Sequence, residues 1–236
     1  MSHFSVAVIT KTKDKKEITR LLAPYQENNN LDCPKEYLEF FDIDEELRDR
    51  YKNESKTIKR KCPTFEEYAD YYGYKKNEYT GKYGYYENPN AKWDWYSIGG
   101  RFDYADGFGY FTKLKDIDLN PIESEYNGAL RYWEVVVEGS PIREDENEDW
   151  FFSIYKPEYY TEQFKTKEDY ALDCSTFSTW AMVTPDGEWY ENGTMGWFAC
   201  SDATMESRND FKKFFYNYLK NPDNKEYFLT IVDCHI

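Results

Sequence analysis

A chain of 236 residues can bury a core without metal or disulfide support, as one domain or as two small ones. Its 45 acids against 30 bases give a formal charge of −15, which argues against direct nucleic-acid binding, because that affinity rests on a basic footprint. No apolar run approaches the roughly 20 residues that span a bilayer, so no membrane partner is expected.

Aromatic residues make up 20% of the chain, with 24 Tyr and 16 Phe, so the core must be built largely from rings. Half-buried tyrosines, each needing a partner for its hydroxyl, are expected around it. The five cysteines (Cys33, Cys62, Cys174, Cys200, Cys234) form no CxxC or CxxH pair, so no zinc site is expected. The opening MSHFSVAVIT has no basic n-region and reads as no signal peptide. A soluble cytoplasmic protein with reduced thiols follows, and no cofactor is expected.

In chain order, residues 3–10 read as a strand of β-branched character, followed by a short helix that Pro24 stops. Residues 34–61 carry a helical pattern, trailing into the charged KNESKTIKRK. Thr64 and Glu67 fit a capping box, opening a helix that ends near Gly73. A tyrosine-rich ordered loop is predicted over residues 75–89. The stretch 92–114 then reads as strand, glycine turn, strand, turn, strand, and residues 131–139 (RYWEVVVEG) as a further strand. An acidic loop at 143–149 precedes a helix with Pro157 in its first turn. A hairpin follows, with a strand over 177–183, Pro185-Asp186-Gly187 as its turn and a return through Trp189. An amphipathic helix capped by Asp202 and stopped at Asn221-Pro222 leads to the last strand, residues 227–236.

This order predicts a single α+β domain. Its sheet is antiparallel or mixed, with roughly 6–8 strands, helices mainly on one side, first and last strands adjacent, and a helical insertion at 34–75. MSHFSVAVI with LAPYQENN, then NPNAKWDWYSIGGRF, then TPDGEWYENGTMGWF and TIVDCHI, together resemble a family of uncharacterised bacteriophage and prophage proteins. The resemblance runs through most of the chain. It implies an accessory phage protein acting in the host bacterial cytoplasm, on host defence or host machinery, and it implies no particular activity.

Three groups of residues are candidates for function. In an extended segment Trp93 and Trp95 share one face and Asp94 and Tyr96 the other. Gly99-Gly100 frees backbone amides to form an anion nest, and Arg101 adds a forked, permanent charge. That set suits a stacked and clamped nucleotide, which would be sequestered or hydrolysed. It equally describes a sheet corner with the tryptophans in the core and Arg101 paired to Asp94 or Asp103. Trp197, in a glycine-bearing loop leading toward a helix start, is a further ligand candidate.

The second group lies at the two ends, where the chain's two histidines, His3 and His235, sit on terminal strands. Antiparallel pairing brings them together with Asp233 and Cys234, whereas parallel pairing separates them by roughly 20–25 Å. Such a patch suits a metal-assisted hydrolase, or an acid–base or thiol nucleophile pair, or simple strand-end packing. Cys234 and His235 must face opposite sides.

The third group is the acidic run Glu144, Asp145, Glu146, Glu148 and Asp149, either a solvated loop or a docking surface for a basic host protein. With no catalytic signature in the sequence, the leading expectation is a non-enzymatic inhibitor that binds such a partner. Nucleotide handling comes second and metal-assisted hydrolysis third.

Overall fold

The computed structural model describes residues 2–102, 109–196, 198 and 200–236. Its hub is β1 (His3–Thr10), in which every side chain from Val6 to Ile9 is fully buried. A strand covered on both faces reads as a continuous apolar run, which is why VAVI shows no alternation. Strand β9 (Phe228–His235) runs antiparallel to β1 over its whole length, from His3 opposite His235 to Thr10 opposite Phe228. On its other edge β1 pairs in parallel with β7 (Ala181–Val183), which returns through Pro185-Asp186-Gly187 into β8 (Trp189–Glu191). Beyond β9 lie β5 (Trp95–Ile98) and the short β6 (Thr112–Lys113), both antiparallel to it. The product is a mixed six-stranded sheet of order β5-β9-β1-β7-β8, with β6 also on β9. The α+β class and the adjacency of first and last strands are as expected.

Helices lie on both faces of this sheet. Phe4, Val6, Val8, Val232 and Cys234 on one face meet Ile18, Leu21 and Leu22 of α1 (Lys15–Leu22). Ala7, Ile9, Leu229 and Ile231 on the other meet Phe211, Phe215 and Leu219 of α8 (Met205–Lys220). Those three α8 residues recur at four-residue steps and form one apolar stripe. Thr204 and Ser207 form the capping box of α8, while the expected cap, Asp202, accepts the Thr194 N–H instead.

Residues 34–89 depart most from the sequence reading. They hold β2 (Glu39–Asp42), α2 (Asp44–Lys52), α3 (Lys56–Lys61), α4 (Phe65–Tyr71), β3 (Lys75–Lys76) and β4 (Tyr83–Glu87). The strands form a separate sheet of order β2-β4-β3, so the expected helical insertion contains strands and the expected loop holds two of the three strands of that sheet. Cross-strand rings explain this: Phe40 faces Tyr86 and Phe41 stacks on Tyr85, and such pairs stabilise a ladder that helical periodicity alone does not reveal. Leu47, Cys62, Phe65, Tyr68, Ala69 and Tyr83 give this unit its own small core. The Thr64–Glu67 capping box is present.

Residues 131–139 are not a strand. They close α5 (Glu123–Val136), whose buried Ala129 and Trp133 sit one turn apart and pack toward α7 (Lys167–Ser175). That packing outweighs the β preference of three consecutive valines. The helix expected after Pro157 is split into α6 (Pro157–Gln163) and α7, the second capped by Thr166. The strand expected over 177–183 is confined to its last three residues.

Candidate functional site

The antiparallel register of β1, β9 and β5 puts Trp95, His235 and His3 side by side in one cross-strand row. One step further in, Ser97, Asp233 and Ser5 form the next row on the same face. This is the α8 face of the sheet, and the histidines lie at the end where β1 begins and β9 finishes.

Each histidine has its own carboxylate. His3 Nδ1 lies 2.8 Å from Asp233 Oδ1, and His235 Nδ1 lies 2.7 Å from Asp94 Oδ1. Asp233 is held from its other oxygen by the Arg101 backbone N–H at 2.9 Å. Asp94 sits at the bend before β5, where its carboxylate also accepts the Trp95 N–H and its own N–H donates to the His235 carbonyl. A carboxylate on Nδ1 fixes the tautomer of a neutral imidazole, placing the proton on Nδ1 and the lone pair on Nε2. Both rings therefore present Nε2 as their chemically free nitrogen.

The two imidazoles meet edge to face with centroids 5.0 Å apart, and Trp95 stacks on His235 while touching His3 edge-on. His235 is buried, and its Nε2 is one of two buried side-chain polar atoms without a hydrogen-bond partner among the described residues. Leaving such a group unpaired costs about 1–3 kcal/mol. His3 lines an open cleft of ≈ 440 Å³ together with Phe102, Trp180, Arg208 and Lys212.

The glycine turn has a different use from the one expected. The Arg101 amide is directed at Asp233, so the carboxylate of the protein itself takes the position reserved for a ligand anion. Gly100 has φ +57, and a β-carbon there would stand 2.5 Å from Asp233. Trp93 and Trp95 do not share a face: Trp93 is buried with its indole N–H on the Leu22 carbonyl, whereas Trp95 is 45% exposed. The bend at Asp94 breaks the alternation that an unbroken strand would impose. Tyr96 packs edge-on against Trp93 and shares a hydrogen bond with Thr19. Trp93, Trp95 and Arg101 therefore form no common pocket, and the Arg101 side chain is exposed with no ion pair among the described residues, Asp94 being taken by His235. Trp197 and Asp103 lie outside the described residues.

Cys234 points to the opposite face and is fully buried in the α1 core, where burial pushes its thiol well above the usual range and removes it as a nucleophile. Among the described residues no group of three or more His, Cys, Asp and Glu is disposed to hold a metal; both Nδ1 atoms are already taken by carboxylates. Of the acidic run, Glu146 is gripped by Arg131 through Nε and Nη2, both at 2.7 Å, and its carboxyl is held down to about 2. Glu144, Asp145, Glu148 and Asp149 are exposed.

The pairing of Asp94 with His235 and the presence of Arg208 beside His3 were not foreseen. The first needs β5 to lie beside β9, which no local pattern encodes. The second has only the four-residue spacing of Arg208 and Lys212 on α8 as a signal. Compared with family models, curated proteins and solved structures, the chain finds no significant match.

Proposed function

We propose that this chain is an acid–base catalyst in which His3, oriented by Asp233, exchanges a proton with a small substrate held in the adjacent cleft. The observation that carries this is the doubled His–Asp arrangement at one end of the sheet, with His3 on the wall of the cleft. A hydrolytic step balances as follows. Neutral His3 takes a proton from water at Nε2 as the oxygen bonds to the electrophilic centre. The imidazolium then returns that proton to the leaving oxygen as its bond breaks. Asp233 keeps the ring in the tautomer that this requires, and His235 with Asp94 fixes the position of the His3 ring from behind.

The test is turnover of chromogenic phosphate monoesters, phosphodiesters and carboxylic esters by the wild-type chain, His3→Gln and Asp233→Asn. Loss of roughly 10²–10⁴-fold in His3→Gln is expected for a general acid–base group, with a change in the pH profile of Asp233→Asn. Undiminished turnover in His3→Gln, or an inactive wild type across the panel, would overturn the reading.

A second reading rests on a different surface. The exposed acids Glu144, Asp145, Glu148 and Asp149 adjoin exposed Trp150, Phe152 and Ile154 in sequence. A basic partner with apolar anchors fits that combination, and a second copy does not, because like charges would meet across a two-fold axis. In the phage setting implied by the sequence motifs the partner would be a host protein, which the chain would inhibit. Reversing those four charges would weaken such binding and leave His3-dependent turnover intact.

A further inference from the structure

We propose that the cleft beside His3 takes an anionic group of the phosphate class, with Arg208 as its clamp. The proposal deepens the acid–base reading, since the anion is placed against the same ring. Arg208 lines the cleft with His3, half-buried, and its guanidinium makes no ion pair or hydrogen bond among the described residues. In a chain with 15 more acids than bases, an arginine left unpaired in a concave site is a charge in want of a partner.

Lys212, one helical turn along α8, also lines the cleft and is paired with Asp173, which lines it too. That pair is neutral, so Arg208 is the uncompensated charge among the lining residues, opposed by the Asp233 carboxylate that lies behind His3. A guanidinium fork from α8 and an imidazole from β1 approach from different elements. A tetrahedral anion that keeps one protonated oxygen can accept from the fork and donate that proton to the His3 Nε2 lone pair at once, whereas a planar carboxylate is satisfied by the fork alone. Phe102 and Trp180 supply an apolar wall, and the Trp180 indole is fixed by its bond to the Gly193 carbonyl. The geometry therefore fits a phosphate ester carrying a ring or other apolar group.

Binding of inorganic phosphate and of phenyl phosphate, followed by thermal shift and by the histidine NMR signals, tests this against chloride at matched ionic strength. Phosphate should raise the wild-type midpoint and move the His3 resonances, and phenyl phosphate should bind more tightly. Arg208→Gln should weaken both by roughly tenfold or more, the scale of a charge-assisted hydrogen bond, with Arg208→Lys in between. Circular dichroism checks that α8 is intact. Unaltered binding in Arg208→Gln, or no phosphate effect on the wild type, would overturn the proposal. His3→Gln separates the two claims. Arg208-dependent phosphate binding with turnover indifferent to His3 keeps the cleft and removes the acid–base role. His3-dependent turnover without phosphate binding does the reverse.

Discussion

Gly100 and Asp233 are fitted to each other. Only a residue without a β-carbon can take φ +57 so close to that carboxylate and still deliver the next amide to it. Gly100→Ala should therefore destabilise the fold by at least about 1–2 kcal/mol, the cost of the left-handed conformation alone, measurable by urea unfolding. It should also disturb His3, whose orienting carboxylate would have to move. Part of this site was legible in the sequence. Two histidines at opposite ends of the chain, on segments that both read as strands, meet if those strands pair antiparallel, and alternation separates Cys234 from His235 whatever else happens. The role of the WDW stretch was not legible. Its alternation is broken by the bend at Asp94, which sends Trp93 into the α1 core and leaves Trp95 over His235.

At the scale of elements, α5 shows how far a local preference yields to packing. Three valines in a row favour a strand, but the turn before them presents Ala129 and Trp133 to α7, and burial of the indole decides the outcome. Sequence reading fails there because the competing term is tertiary. The same helix is tied to the acidic loop by Arg131, which grips Glu146. In the folded chain that carboxyl titrates near 2, below the ordinary carboxylate value of about 4.3. A depressed folded value adds stability that is complete above the ordinary range and is lost as pH falls toward the folded one. Stability should therefore fall between roughly pH 4.5 and 2, and Glu146→Gln should flatten that part of the acid-unfolding profile. An equally steep profile in the variant would show that the brace contributes nothing.

For the whole molecule, the described residues bury the large sheet with α1 and α8 on its faces, the small sheet with its own core of Leu47, Phe65, Tyr68 and Tyr83, and the α5–α7 packing around Trp133. Phe215, fully buried on the sheet-facing side of α8, should cost about 3–5 kcal/mol when cut to alanine and lower protection from hydrogen exchange throughout the six-stranded sheet. Phe65→Ala should loosen residues 39–87 and leave the exchange of β1 and β9 near its wild-type level. A uniform loss in both variants would mean that the two cores unfold as one.

The pairing of β1 with β9 also sets a timetable. His3 and the carboxylate that orients it are 230 positions apart in the chain. On the ribosome β1 emerges well before its edge complement β9, and loop closure of that length is slow to be rewarded. During synthesis β1 must wait as an apolar segment, with both edges unpaired until β7 is made and one until β9 follows, a state prone to aggregation. The proposed proton-handling pair of His3 and Asp233 is assembled only once β9 has been made, so a copy stopped before Asp233 cannot perform that chemistry.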